Sequence, residues 1–98
     1  MTKAELIKLV ENEKAYALWD LQDAEWKQVA SELERDESRW YATAVNVYEC
    51  DDGFVGVRGV CQIYSVYTTP EDIDFVCTAC EYEPKTVITY VMKENRDD

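Results

Sequence analysis

The chain has 98 residues, room for one domain with one modest core, and its 47% hydrophobic and 12% aromatic content is that of a chain that folds. Twenty-one acids against ten bases give a net charge of −11, which excludes direct nucleic-acid binding through a basic patch and opposes an anionic membrane surface. Histidine is absent, which removes Ser-His-Asp and Cys-His catalysis, histidine general bases and histidine-containing zinc sites.

Residues 1–37 read as helical. Thr2 with Glu5 three residues later is a capping-box pattern, and Leu6, Ile7, Val10, Ala17, Leu18 and Leu21 follow at helical spacing. A single helix of that length would run ~50 Å, so two helices are expected, or one broken near Asn12 or between Asp20 and Asp23. The second piece, residues 21–36, would turn Trp26, Val29, Ala30 and Leu33 inward and Glu25, Glu32 and Glu34 outward.

From Trp40 the period drops to two. Four strands are predicted, over 39–50, 54–67, 73–82 and 85–93, with 94–98 as a frayed tail. The short linkers Asp51-Asp52-Gly53, Thr68–Asp72 and Glu83-Pro84 make the sheet an antiparallel meander. A three-residue turn with Gly53 left-handed pairs Cys50 with Phe54, Val47 with Val57, Thr43 with Cys61 and Tyr41 with Ile63. The last hairpin puts Ala79 beside Ile88, Cys77 beside Tyr90 and Phe75 beside Met92. Helices then cover Val45, Val47, Val55, Val57, Cys61, Ile63, Ile73, Phe75, Cys77, Ile88 and Tyr90. The expected fold is a single α+β domain, 1–98, with the helical segment on one face of a four-stranded antiparallel sheet.

The first residues are charged, with no apolar signal stretch, and no run approaches the ~20 apolar residues of a membrane span, so a cytoplasmic location and no membrane partner are expected. Cys77-Thr78-Ala79-Cys80 has CxxC spacing, with Cys50 and Cys61 as further thiols. Residues three apart on a strand point to opposite faces, so the four do not converge, and neither a metal nor another cofactor is expected. The acidic pairs lie at turns and strand ends, where carboxylates are simply solvated. No Gly-rich phosphate loop or calcium loop is present. No catalytic residue is assigned.

Two surfaces stand out. Glu49, Asp51 and Asp52 at one turn and Glu81 and Glu83 at another fall at the same end of a meander and form an acidic rim. The sheet face away from the helices would carry Tyr48, Arg58, Val60, Tyr64 and Tyr82, more apolar than a solvated face. In size, charge, lack of catalytic groups and Tyr- and acid-rich hairpins such as Tyr48-Glu49-Cys50-Asp51-Asp52, the chain resembles the small acidic inhibitors of phages and mobile elements: anti-CRISPR, anti-restriction and other DNA-mimic proteins. That resemblance implies a stoichiometric inhibitor, not an enzyme. Its partner would be a basic nucleic-acid-binding enzyme, met in the host cytosol if a phage encodes the chain. The alternative is an accessory module that forms a homodimer or docks in an assembly through the Tyr/Val sheet face.

Overall fold

The computed structural model describes residues 1–21, 25–85, 88 and 90–93. Helix α1 (Lys3–Glu13) is followed by a 3-10 turn (Leu18–Leu21) and strands β1 (Lys27–Glu37), β2 (Tyr41–Cys50) and β3 (Gly53–Ile63). A short helix α2 (Pro70–Ile73) then leads to strand β4 (Thr78–Tyr82). The sheet is an antiparallel meander in the order β1-β2-β3-β4, so the α+β class expected from the sequence stands.

The α1 cap is the one the sequence announces. The Thr2 hydroxyl oxygen accepts from the Glu5 backbone N–H at 3.2 Å, and Lys14 ends the helix in the left-handed region. Leu6 and Val10, one turn apart, are fully buried against the sheet. The next residues stitch α1 to the sheet through the backbone. Val60 N–H donates to the Tyr16 carbonyl, Cys77 N–H donates to the Ala15 carbonyl at 2.7 Å, and Ala17 bridges Val60 in parallel.

Where a second helix was expected, the chain makes strand β1, and this is the largest correction. The strands are correspondingly displaced: β4 is only five residues long, residues 70–73 are helical, and no strand is formed by the described residues beyond Tyr82. The apolar spacing that reads as a helix is real, but a bulged strand satisfies it. Ala30, Leu33 and Asp36 pair with Val47, Val45 and Thr43, so β1 advances three residues for every two of β2. Three register shifts absorb the excess, with Glu32 and Glu34 in the left-handed region. The Asn46 side chain accepts from the Glu32 backbone N–H and satisfies one of the groups the bulges release.

The β2–β3 register also differs from expectation. Only Asp51 and Asp52 form the turn; Gly53 opens β3 at φ +147 and pairs with Cys50. Val47 therefore faces Gly56, one residue away from the expected Val57. Beyond the irregularity between Ala42 and Thr43, the expected Tyr41–Ile63 pairing is restored. The slip inverts β2 relative to β3. Tyr48, Val55 and Val57 lie on the helix side with Leu6, Val10, Leu18, Leu21 and Cys77. Val45 and Val47 lie on the far side with Phe54, Arg58 and Tyr82. Central strand β2 is buried on both faces from Ala42 to Tyr48.

Candidate interaction surfaces

The acidic rim forms, but from inside the protein it is already met by positive charge. The first turn of α1 docks into the β2–β3 turn. The Met1 amino group lies 2.8 Å from Asp51, and Lys3 donates its backbone N–H to Asp52 at 2.8 Å. The Lys3 ammonium reaches Glu81 at 3.3 Å, and Lys27 holds Glu49 at 2.6 Å. The hydrogen bond that the amino group donates to Asp51 raises its pKa and keeps it charged. Of the five, Asp52 and Glu83 make no ion pair among the described residues, Asp52 being held by the Lys3 backbone instead. Asp51, Asp52 and Glu81 therefore anchor the start of α1 at this end of the sheet, while Glu49 serves β1.

The second predicted surface is dispersed. Tyr48 is buried on the helix side, its ring edge-on to Trp26 at a centroid distance of 5.4 Å. Val60 is fully buried under Ala17. Tyr64 sits past the end of β3, where its hydroxyl donates to Glu37 and accepts from Arg35. Arg35 also grips Glu37 at 3.0 Å and Gln62 at 2.6 Å, which holds the Glu37 carboxyl below the ordinary carboxylate range. Val60, paired with Thr43, stays on the far side but is buried, so of the five only Arg58 and Tyr82 are left half-buried there. Both contact Glu34, Arg58 at 3.7 Å and Tyr82 through its hydroxyl. Beside them lies an apolar cleft of about 270 Å³ whose walls include Val29, Leu33, Val47, Phe54 and Tyr82.

The opposite end of the sheet holds a feature that sequence reading missed. An open cleft of about 560 Å³ is lined by Trp40, Tyr41, Tyr67, Asp72 and Ile73 among others. Trp40 is 52% and Tyr67 91% exposed, and Glu71, Asp72 and Asp74 are all exposed beside them. Helix α2 fixes these acids. Asp72 closes a capping box by accepting from the Thr69 backbone at 2.9 Å, which lowers its pKa and keeps it ionised. None of the three makes an ion pair with another described residue. On the aromatic side, the Arg39 guanidinium stacks over the Trp40 ring at 5.0 Å. The signal was available in Trp40, Tyr67 and Glu71-Asp72, but only the fold brings residues 40 and 67–73 to one cleft.

The cysteines are scattered. Cys77 is buried, and its thiol is pushed up to about 11 by desolvation and then by Asp20. Burial also raises Cys50 and Cys61, while Cys80 is exposed on β4. Among the described residues no three Cys, Asp or Glu side chains come together as a metal site, and no helix is long and apolar enough to cross a membrane.

No family model, curated protein or solved structure matches this chain. Its function is therefore argued from its own surfaces.

Proposed function

We propose that the chain acts without catalysis, as a stoichiometric inhibitor that occupies the basic site of a nucleic-acid-binding enzyme, and that the acid–aromatic end is the surface it presents. The observation carrying this reading is the cleft of Trp40, Tyr41 and Tyr67 rimmed by Glu71, Asp72 and Asp74, carboxylates with no internal cation among the described residues. Carboxylates attract the Lys and Arg of a phosphate-binding groove at long range, and the flat rings accept guanidinium groups by stacking. Aromatic anchors beside charged groups are the usual makings of an interface hot spot. The net charge of −11 speeds such an encounter at low salt.

The test is capture from host lysate at low salt, identification by mass spectrometry, then binding kinetics at two salt concentrations. Glu71→Lys with Asp74→Lys should slow association about tenfold at low salt. Asp51→Lys with Asp52→Lys, at the end where the acids serve α1, should change association less. Small, equal effects at both ends with no salt dependence would remove the proposal.

The far-side cleft favours a second reading, an accessory module that docks through apolar contact. Binding of that kind would tolerate salt and be lost on Leu33→Asp.

A further inference from the structure

We infer that the cleft at the acid–aromatic end takes a single arginine side chain, its guanidinium laid against the Trp40 and Tyr67 rings and paired with the free carboxylate oxygen of Asp72, and that it selects arginine over lysine. The inference rests on the reading of that end as the partner surface, and it names the group that the surface grips.

Three pieces of backbone build the cleft, and each is held fixed. Trp40 stands in the β1–β2 connection, where its carbonyl accepts from the Tyr64 N–H at 2.9 Å and the Ser38 N–H donates to the Tyr41 carbonyl at 2.8 Å. Tyr67 stands on a turn that the Thr68 N–H closes onto the Ser65 carbonyl, with the Tyr67 N–H donating to the Ser65 hydroxyl at 3.2 Å. Asp72 lies in the capped turn of α2. Groups held in this way need little ordering when a ligand arrives.

The carboxylate is half used. Asp72 Oδ2 accepts both Thr69 bonds, from the backbone N–H at 2.9 Å and from the hydroxyl at 3.0 Å. Its Oδ1 has no partner among the described residues, although the Thr69 bonds keep the group ionised. An anion with one free oxygen therefore stands in the same cleft as two rings that are themselves half or almost wholly exposed.

This pairing of flat apolar walls with a carboxylate suits a guanidinium better than other cations. A guanidinium is planar and weakly hydrated, so it can stack on a ring while its edge N–H groups reach an oxygen. An ammonium is compact and strongly hydrated, and at an open rim it keeps its water. A quaternary ammonium needs rings on several sides, which two rings and an open mouth do not give. Among the described residues no three carboxylates converge to hold a divalent cation. The chain already displays the favoured contact, since the Arg39 guanidinium lies over Trp40. Arg39 itself stands outside the cleft lining, so the wall that Trp40 gives to the cleft is left for a partner's arginine. With about 560 Å³, the cleft has room for the whole side chain. The fork that an arginine offers to a phosphate is the one it would offer to Asp72, so the gripped residue belongs to the partner's phosphate-binding site.

The experiment needs no partner protein. Capped tetra-arginine and tetra-lysine peptides, equal in charge, are titrated into the isotope-labelled chain at low salt, and the backbone and indole N–H signals are followed by NMR. The arginine peptide should bind about tenfold more tightly than the lysine peptide, with the largest shifts at Trp40, Tyr67 and Asp72. Tyr67→Ala removes an exposed ring, and Asp72→Asn removes the charge while keeping an oxygen to cap α2. Each should lower the arginine affinity to about that of the lysine peptide, with the rest of the spectrum unchanged. Equal affinities for the two peptides, shifts centred on Asp51 and Glu81, or full arginine affinity in both variants would overturn the inference. An enzyme captured from lysate whose binding ignores Tyr67→Ala would also overturn it, while leaving the inhibitor reading intact. Arginine selectivity in the peptides with no nucleic-acid-binding enzyme captured would do the reverse.

Discussion

Gly59→Ala tests how the helix side is packed. A β-carbon at residue 59 would overlap the Cys77 sulfur and stand 3.1 Å from Leu18 Cδ2, both in the buried core. Overpacking of this kind costs ~1–3 kcal/mol, and replacing a strand glycine returns ~0.5–1 kcal/mol through the unfolded chain, so a net loss of about 1–2 kcal/mol is expected. In a domain of this size that lowers the Tm by about 4–15 °C. The partner variant Cys77→Ala removes one buried heavy atom and should cost about 1 kcal/mol alone. With the sulfur gone the new methyl has room, so the double variant should be no less stable than Cys77→Ala by more than about 0.5 kcal/mol. Urea unfolding followed by tryptophan fluorescence measures all three. Additive losses, or a neutral Gly59→Ala, would mean that Gly59 does not face Cys77 and that the register of β3 under the helix is wrong.

Cys80 should react with a thiol reagent in the native protein and Cys77 only after unfolding; mass spectrometry after timed labelling reads the order. With the Cys77 thiol held up to about 11 against an ordinary value near 9, stability should be intact below about pH 9 and fall as pH rises from 9 towards 11, visible in melts across that range. The lowered Glu37 carboxyl has the opposite sign: its contribution is present above the ordinary carboxylate pKa and lost as pH falls through the lowered value, which NMR titration of Tyr64 would follow. Tyr48→Ala should cost about 3–4 kcal/mol, since it empties a buried site against Trp26. Tyr64→Ala, at an exposed ring, should cost about 1 kcal/mol or less by the same melts.

Much of the fold was legible. The Thr2 cap, the apolar face of α1, the strand that begins at Tyr41 and the antiparallel meander follow from local rules of propensity and turn chemistry. Strand β1 was not legible because Trp26, Val29, Ala30 and Leu33 obey helical spacing, and residues 25–37 are rich in helix formers. The three-for-two pairing against β2 is a tertiary solution that no window of the sequence contains. The β2–β3 slip was missed because alternation of Val and Tyr on both strands makes either face credible. The choice is made by Leu18 pressing on Gly59 and by Leu6, Val10 and Leu18 clustering with Val57, residues about forty or more apart in the chain. Asp51, Asp52 and Glu81 of the expected rim do meet at one end of the sheet, around Met1 and Lys3. The rim's engagement by Lys3 and Lys27 was invisible because β1 was not recognised and the landing site of α1 was not known.

The bulges of β1 set a limit on growth. An open sheet can recruit chains at either edge without end, which is how fibres begin. Here the β1 edge is made uneven by Glu32 and Glu34 in left-handed backbone, and among the described residues β4 is the regular edge. The bulges that hide β1 from helix-and-strand rules are thus the same ones that keep the sheet from extending on that side.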